Sequence, residues 1–152
     1  MMKKSAFLLF AIAVSLLLAE KLEITADKFL AKDADREVRF VGNAHIVQGA
    51  TRVKAAKVIV TFNEDNSTRK YRAVGGVQFS IKKDKANYRG SCNEMLYLPQ
   101  KKQYLLRGNV KVKDQQNRRD ITASSVKIES KTGAFMIEGS RKHAAKLTFD
   151  MK

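Results

Sequence analysis

The amino-acid sequence predicts an all-β protein built from many consecutive antiparallel strands. Three observations lead to this prediction. A glycine recurs at a nearly fixed spacing, apolar and polar residues alternate around it, and no sustained apolar stripe of helical period follows the first nineteen residues. Alternation with a period of two is typical of strands with one buried face, whereas an amphipathic helix requires a period of 3.6.

The first segment along the chain has the features of a targeting signal. Residues 1–4 are short and basic, 5–19 form an apolar run, and Glu20 and Lys21 end that run. As a helix the run would span about 22 Å, which is short of the roughly 30 Å hydrocarbon core of a bilayer. The pattern predicts a signal peptide over 1–19, cleaved after Ala19, and export to the periplasm. A retained membrane anchor is the alternative, because Leu17 stands where a small residue is preferred.

A glycine-centred repeat extends through the remaining domain, residues 20–152. Gly42, Gly75, Gly108 and Gly139 are separated by 33, 33 and 31 residues. The residues two and four positions before each glycine are apolar, and so are those two and four positions after each glycine except Gly139. The residue three positions after each of the four glycines is polar. A glycine within a strand marks a bulge, which here is predicted to bend each strand from one of two facing sheets into the other. Typical strand lengths give about four short strands for each 33-residue unit.

A second motif alternates with the glycines. It begins with a small residue and has apolar residues three and five positions later; its copies begin at Ala26, Ala55, Cys92, Ala123 and Ala144. Because Cys92 occupies a position otherwise held by alanine, it is predicted to be a buried residue. Polar segments between the motifs predict the turns, at 63–68, 82–87, 99–102, 114–117 and 130–133.

Composition narrows the classes of function. The 152 residues carry a net charge of +15, which falls to +13 without Lys3 and Lys4. A single cysteine excludes an intramolecular disulfide, and two histidines, His45 and His143, without a carboxylate cluster predict no metal site. No catalytic or nucleotide-binding motif is present, so the sequence predicts neither an enzyme nor a cofactor.

The excess of positive charge indicates a polyanionic partner. A secreted polyanion-binding module is therefore an open alternative. The aromatic residues, however, fall mainly on the apolar face and not among the basic residues, which argues against nucleic acid as the partner.

Three segments carry a resemblance to a known family. Residues 40–44 (FVGNA), 73–77 (AVGGV) and 106–110 (LRGNV) resemble the OstA-like repeat of organic-solvent-tolerance proteins. From about residue 22 to 151 the chain is similar to the LptA-like family of periplasmic lipopolysaccharide transport proteins. The resemblance implies a twisted, open β-jellyroll that shields lipid A acyl chains in an apolar groove. It also implies a bridge between inner- and outer-membrane components, and an LptC-like anchored jellyroll of the same pathway is the alternative.

With this resemblance, the inward apolar residues become candidates for a lipid-binding groove. They are Val38, Phe40, Ile46, Val58, Val60, Phe62, Tyr71, Val77, Phe79, Met95, Tyr97, Tyr104, Leu106, Phe135 and Ile137. Arg36, Arg69 and Lys102 each precede a repeat glycine by six residues and are predicted to form a basic rim. Basic groups at the mouth of an apolar groove suit the phosphorylated headgroup of lipopolysaccharide.

Both ends of the domain are predicted to be docking edges. Leu22 and Ile24 alternate with polar residues in the first strand, as Leu147 and Phe149 do in the last. An open sheet leaves unpaired backbone groups at each edge, and such edges add strands from other chains. The resemblance implies an LptC-like partner at the N-terminal edge and an LptD-like protein or another copy at the C-terminal edge. Head-to-tail oligomers are therefore expected.

Asn66 is a candidate glycosylation site. It lies in the sequence EDNST, residues 64–68, which has an acidic residue two positions before the asparagine and a threonine two after it. This pattern resembles the extended acceptor of some bacterial oligosaccharyltransferases. The alternative is an ordinary polar turn.

Overall fold

A computed structural model describes residues 21–151 and consists of ten β-strands joined by turns. The part of the chain that it describes contains no helix long and apolar enough to cross a membrane. The predicted signal peptide and its cleavage point lie outside the described residues. The strands are β1 (Leu22–Thr25), β2 (Lys28–Lys32), β3 (Glu37–Gln48), β4 (Thr51–Phe62), β5 (Thr68–Lys83), β6 (Ala86–Leu98), β7 (Gln103–Asp114), β8 (Arg119–Glu129), β9 (Ala134–Glu138) and β10 (Lys146–Phe149).

All ten strands belong to one open antiparallel sheet. Strands β3 to β8 pair with their neighbours in chain order. The turns from β4 to β8 overlap the predicted polar segments, whereas the β3–β4 turn at residues 49–50 was not predicted. At one edge β1 and β2 share β3 as their partner, and at the other edge β9 and β10 share β8. The prediction of an all-β chain of consecutive antiparallel strands is therefore confirmed.

The repeat glycines bend the long strands. At Gly42, Gly75 and Gly108 the ladder registers shift, and the three glycines have φ angles of +87°, +88° and +79°. The following residue, Asn43 in the first repeat, also has a positive φ, which glycine and asparagine tolerate best. A Cβ on Gly75 would lie 2.7 Å from the Cβ of Ala56, so the close approach of neighbouring strands also requires glycine.

These bends divide the sheet into two halves. Half A comprises β2, β9 and the segments 37–41, 57–62, 68–74, 94–98, 103–107 and 125–129. Half B comprises β1, β10 and the segments 44–48, 51–55, 77–83, 86–92, 110–114 and 119–123. Buried residues of both halves form a single apolar cluster, so the two halves pack face to face.

The structure corrects two details of the repeat. Each 33-residue unit contains two long strands and not about four short ones, because the bulge bends a strand without ending it. The fourth glycine, Gly139, follows β9 and lies outside any strand. The chain crosses from half A to half B there through the loop 139–145, in which Ser140 N donates a hydrogen bond to the His143 carbonyl.

The predicted alternation of buried and exposed residues is correct around the three bulge glycines. Val77, Leu106 and Val110 are fully buried between the halves, whereas Gln78 and Lys111 are exposed on the outside. Burial of a valine or leucine side chain contributes about 1.5–3 kcal/mol to the free energy of unfolding. The interior between half A and half B is therefore the place to look for a site.

Candidate functional site

All fifteen predicted groove residues face the interior, but they differ in burial. Seven are buried as tightly as an ordinary protein core, namely Val58, Val60, Val77, Phe79, Met95, Tyr104 and Leu106. The remaining eight are partly exposed, and they are Val38, Phe40, Ile46, Phe62, Tyr71, Tyr97, Phe135 and Ile137. The middle of the interior is thus packed by the protein's own side chains.

One end of the interior, here called the open end, contains a cavity of about 40 Å³. Half B supplies one wall from β1, β3 and β4, and half A supplies the other from β5, β6 and β7. The lining is mostly apolar and consists of Leu22, Ile46, Gln48, Thr51, Val53, Tyr71, Ala73, Met95, Tyr97 and Tyr104. Five of these ten residues were not predicted to line a groove: Gln48, Thr51, Val53 and Ala73 were in none of the predicted site sets, and Leu22 was predicted only as a docking residue.

Three tyrosines of half A line this cavity. The Tyr97 ring lies 4.4 Å from the ring of Tyr104 and 6.1 Å from that of Tyr71, measured between centroids. Lys83 of half B donates a hydrogen bond of 3.2 Å to Tyr97 Oη and lies 5.3 Å from its ring centroid. Burial raises the pKa of Tyr71 and of Tyr104, so both phenols are neutral at physiological pH. The wall therefore combines apolar rings with uncharged polar groups.

A second part of the interior, beside the β8–β9 turn and here called the closed end, is held by hydrogen bonds and ring contacts. Tyr88 Oη of half B donates a hydrogen bond of 3.0 Å to the Gly133 carbonyl of the β8–β9 turn. The Tyr88 ring also meets Phe135 of half A edge to face, at 6.0 Å between centroids. Lys85 N donates to the Ser130 carbonyl at 3.3 Å.

A buried carboxylate supports the closed end. Asp114 is 1% exposed and accepts hydrogen bonds from the side chains of Asn117 and Arg119, at 3.0 Å and 2.6 Å. Burial alone would raise the pKa of Asp114, but these hydrogen bonds outweigh it, and the pKa lies below its ordinary value. The Arg119 guanidinium in turn lies 4.5 Å from the ring centroid of Phe135. From the sequence, Asp114 was interpreted only as a turn residue, because the contact of its partner Arg119 with Phe135 joins residues that are distant along the chain.

The predicted basic rim residues lie at equivalent ends of half A. Arg36 immediately precedes β3, Lys102 immediately precedes β7, and Arg69 is the second residue of β5. All three are exposed. Arg36 Nη1 donates a hydrogen bond to the Asn63 carbonyl at 3.4 Å, which connects two neighbouring turns. The structure thus brings the three residues to one rim of half A.

The predicted docking residues lie in edge strands of half B. Leu22 and Ile24 are in β1, and Leu147 and Phe149 are in β10. The half A portions of both edges, which β2 and β9 form, were not predicted from the sequence. Within residues 21–151, the exposed large hydrophobic side chains all belong to these edge strands or to the residue shortly after β10; they are Leu22, Phe29, Leu30, Met136, Leu147, Phe149 and Met151.

The remaining sequence candidates are scattered. Asn66 is exposed at the β4–β5 turn with a φ of +69°, and neighbouring Asp65 accepts a hydrogen bond from Ser67. His45 and His143 are exposed, and no group of His, Cys, Asp and Glu in the described residues could hold a metal ion. Cys92 is 3% exposed, and burial raises its pKa to about 12.

Comparison with known proteins identifies a family and a fold. Residues 23–134 match a family model described as the LptA/(LptD N-terminal domain) LPS transport protein family. The chain is also similar to the crystal structure of LptH, the LptA homologous periplasmic component of the conserved lipopolysaccharide transport device from Pseudomonas aeruginosa. The TM-score is 0.76 with 13% sequence identity, and the match covers 87% of this chain and 96% of that chain. No curated protein gave a significant match.

Proposed function

Because the chain belongs to the LptA/(LptD N-terminal domain) family of lipopolysaccharide transport proteins, we propose that it carries lipopolysaccharide through the periplasm with the acyl chains of lipid A between half A and half B. The proposal rests on the apolar interior between half A and half B. Its buried residues form one apolar cluster, and at the open end it contains a cavity between walls that belong to different halves.

Acyl chains enter at the open end and displace the two halves. A cavity of about 40 Å³ has room for a few water molecules and not for several acyl chains, so binding requires the walls to separate. Separation is easier at the open end, because the hydrogen bonds of Tyr88 and Lys85 join the halves at the closed end. At the open end the link is the contact between Lys83 and Tyr97, a lysine and a phenol that remain hydrated when they part.

The protein provides a path and not a driving force. Each methylene buried in an apolar interior contributes about 0.8 kcal/mol, which is close to its value in the membrane that the lipid leaves. Transfer is therefore nearly neutral, and direction comes from an energised component elsewhere in the pathway. The basic rim of Arg36, Arg69 and Lys102 accommodates the phosphorylated headgroup outside the interior.

The sheet edges extend the path to other jellyrolls. The exposed apolar residues Leu22 and Phe29 lie at one edge, and Leu147 and Phe149 lie at the other. Main-chain hydrogen bonds to a strand of a partner set the register, and the apolar residues continue the interior across the junction. We assign an LptC-like partner to the β1–β2 edge and an LptD-like protein or a second copy to the β9–β10 edge.

This proposal requires export. The predicted signal peptide 1–19 delivers the domain 20–152 to the periplasm, and N-terminal sequencing of the exported protein is expected to give Glu20. An N-terminus at Met1 on a membrane-bound species would instead support the LptC-like alternative.

Site-specific photo-crosslinking tests the position of the lipid. A photoreactive residue at Ile46, which lines the open end, is expected to capture lipopolysaccharide, whereas one at the adjacent His45 is not, because it points outward. Native mass spectrometry with intact and deacylated lipopolysaccharide provides the chemical control. Equal capture at both positions, or equal binding of deacylated material, would contradict binding between the halves.

A further inference from the structure

The outer face of half B carries two cross-strand rows of polar residues. Strand pairing places Arg52, Ser80, Arg89, Lys113 and Asp120 in one row and Lys54, Gln78, Ser91, Lys111 and Thr122 in the other. Five of these ten residues are cations and one is an acid. The five cations are Arg52, Lys54, Arg89, Lys111 and Lys113, and all are exposed; we call this set the basic face.

The outer face of half A differs from the basic face. Its arginines make ion pairs, since Glu94 contacts Arg72 at 2.6 Å and Arg107 at 3.5 Å, and Arg39 contacts Glu37 at 3.4 Å. Its rows also contain apolar residues, namely Ile59, Val74, Leu96 and Leu105. Within the described chain, no cation of the basic face has a carboxylate within 4.0 Å. The five cations are therefore free of direct ion pairs within the described residues, although Asp120 is the cross-strand partner of Lys113.

The basic face borders two adjoining open depressions in which cations and hydroxyl groups are exposed together. Their volumes are about 510 and 490 Å³, and Arg89 lines both. Hydroxyl groups line them as well, from Ser80 and Ser91 in the first and Thr122 in the second; Asp120 also lines the second. Hydroxyls and cations together offer the neutral and charge-assisted hydrogen bonds that phosphate oxygens accept.

We propose that the basic face binds the phosphate headgroups of an anionic phospholipid bilayer and holds the protein against a membrane surface. The cations extend over β4 to β7, three strand spacings of about 4.8 Å each. A planar array of phosphates reaches all five cations at once, whereas a single headgroup reaches two or three. This orientation leaves the basic rim and both docking edges free, so it does not compete with the transport path.

Vesicle cosedimentation of the exported protein tests this proposal. Vesicles of phosphatidylcholine with and without phosphatidylglycerol are compared at low and at physiological salt, because Debye screening weakens such binding. The test variant combines Lys54→Gln, Arg89→Gln and Lys111→Gln. The control variant combines Lys57→Gln, Lys70→Gln and Lys127→Gln on the outer face of half A and has the same net charge.

The test variant is expected to partition onto anionic vesicles about a hundredfold less than the wild type, because each removed cation contributes roughly a fivefold factor. The control variant is expected to change by less than about threefold. Circular dichroism verifies that both fold, and a Lys54→Arg, Lys111→Arg variant is expected to bind like the wild type. If both triple variants lost vesicle binding equally, net charge alone would explain the binding and the proposal would be overturned. Binding to neutral vesicles, or tighter binding to a soluble oligonucleotide than to anionic vesicles, would also overturn it.

Discussion

The two ends of the interior are built from the same repeat but are held differently. At the closed end, Tyr88 of half B and Lys85 of the β5–β6 turn donate hydrogen bonds to carbonyls of the β8–β9 turn, and the Arg119 guanidinium lies over the Phe135 ring. At the open end, a cavity separates the halves, and the contact across it is between Lys83 and Tyr97. The difference shows how the two ends of a sheet built from one repeat come to differ in how firmly the halves are held together. Residues beside the bulges recur between repeats, whereas residues at the strand ends decide which end can separate.

The largest effect is expected from removal of the carboxylate at the closed end. Asp114→Ala deletes the hydrogen-bond acceptor of Asn117 and Arg119, and its loss is expected to lower the free energy of unfolding by about 3 kcal/mol. Glu94→Ala, which removes the more exposed ion pair with Arg72, is expected to cost about 1 kcal/mol or less. Urea denaturation of both variants provides the measurement. Similar decreases in the free energy of unfolding for the two variants would mean that Asp114 stabilises the closed end no more than an exposed ion pair would.

The same carboxylate predicts a pH dependence. The pKa of Asp114 is lower in the folded protein than its ordinary value of 3.8. Its contribution to stability is therefore present above about pH 5 and is lost as pH falls through the folded pKa. We expect the urea midpoint of the wild type to fall more between pH 7 and pH 3 than that of Asp114→Asn. Asp65, whose pKa is also lowered by its hydrogen bond with Ser67, contributes equally to both proteins. Parallel pH profiles would contradict the role assigned to Asp114.

A smaller effect is expected from the tyrosine that joins the halves. Tyr88→Phe keeps the edge-to-face contact with Phe135 but removes the hydrogen bond to the Gly133 carbonyl, at an expected cost of about 1 kcal/mol. Tyr97→Phe is the matched change at the open end; it removes a partially exposed hydrogen bond from Lys83 and is expected to cost less. Thermal unfolding followed by circular dichroism ranks the two. A larger loss for Tyr97→Phe would reverse the assignment of the ends.

The parts of this structure that were predictable from the sequence are those fixed by local geometry. The alternation around Gly42, Gly75 and Gly108 predicted which residues are inside, because successive strand residues point to opposite faces. The edges were predicted only in part, since a short strand such as β2 or β9 pairs with half of a long strand and its pattern does not specify the partner.

The closed end was not predictable from the sequence, because it depends on pairs such as Tyr88 and Gly133 that are 45 residues apart. The same limit applies to the basic face. Its cations Lys54, Arg89 and Lys111 become neighbours only through the register of four strands.

The smallest expected effect is on the labelling rate of Cys92, which reports how far along the interior bound lipopolysaccharide separates the two halves. Cys92 lies beside the bulges, between the two ends, and burial raises its pKa to about 12, so its thiol is expected to be unreactive toward a disulfide reagent at pH 8. If lipopolysaccharide separates only the open end, the labelling rate of Cys92 stays low when the lipid is bound. Acceleration by the lipid would show that the separation reaches the bulges and that the middle of the interior also opens. Labelling in denaturant confirms that the thiol is chemically competent, and Asp114→Ala provides a loosened control in which faster labelling is expected without lipid.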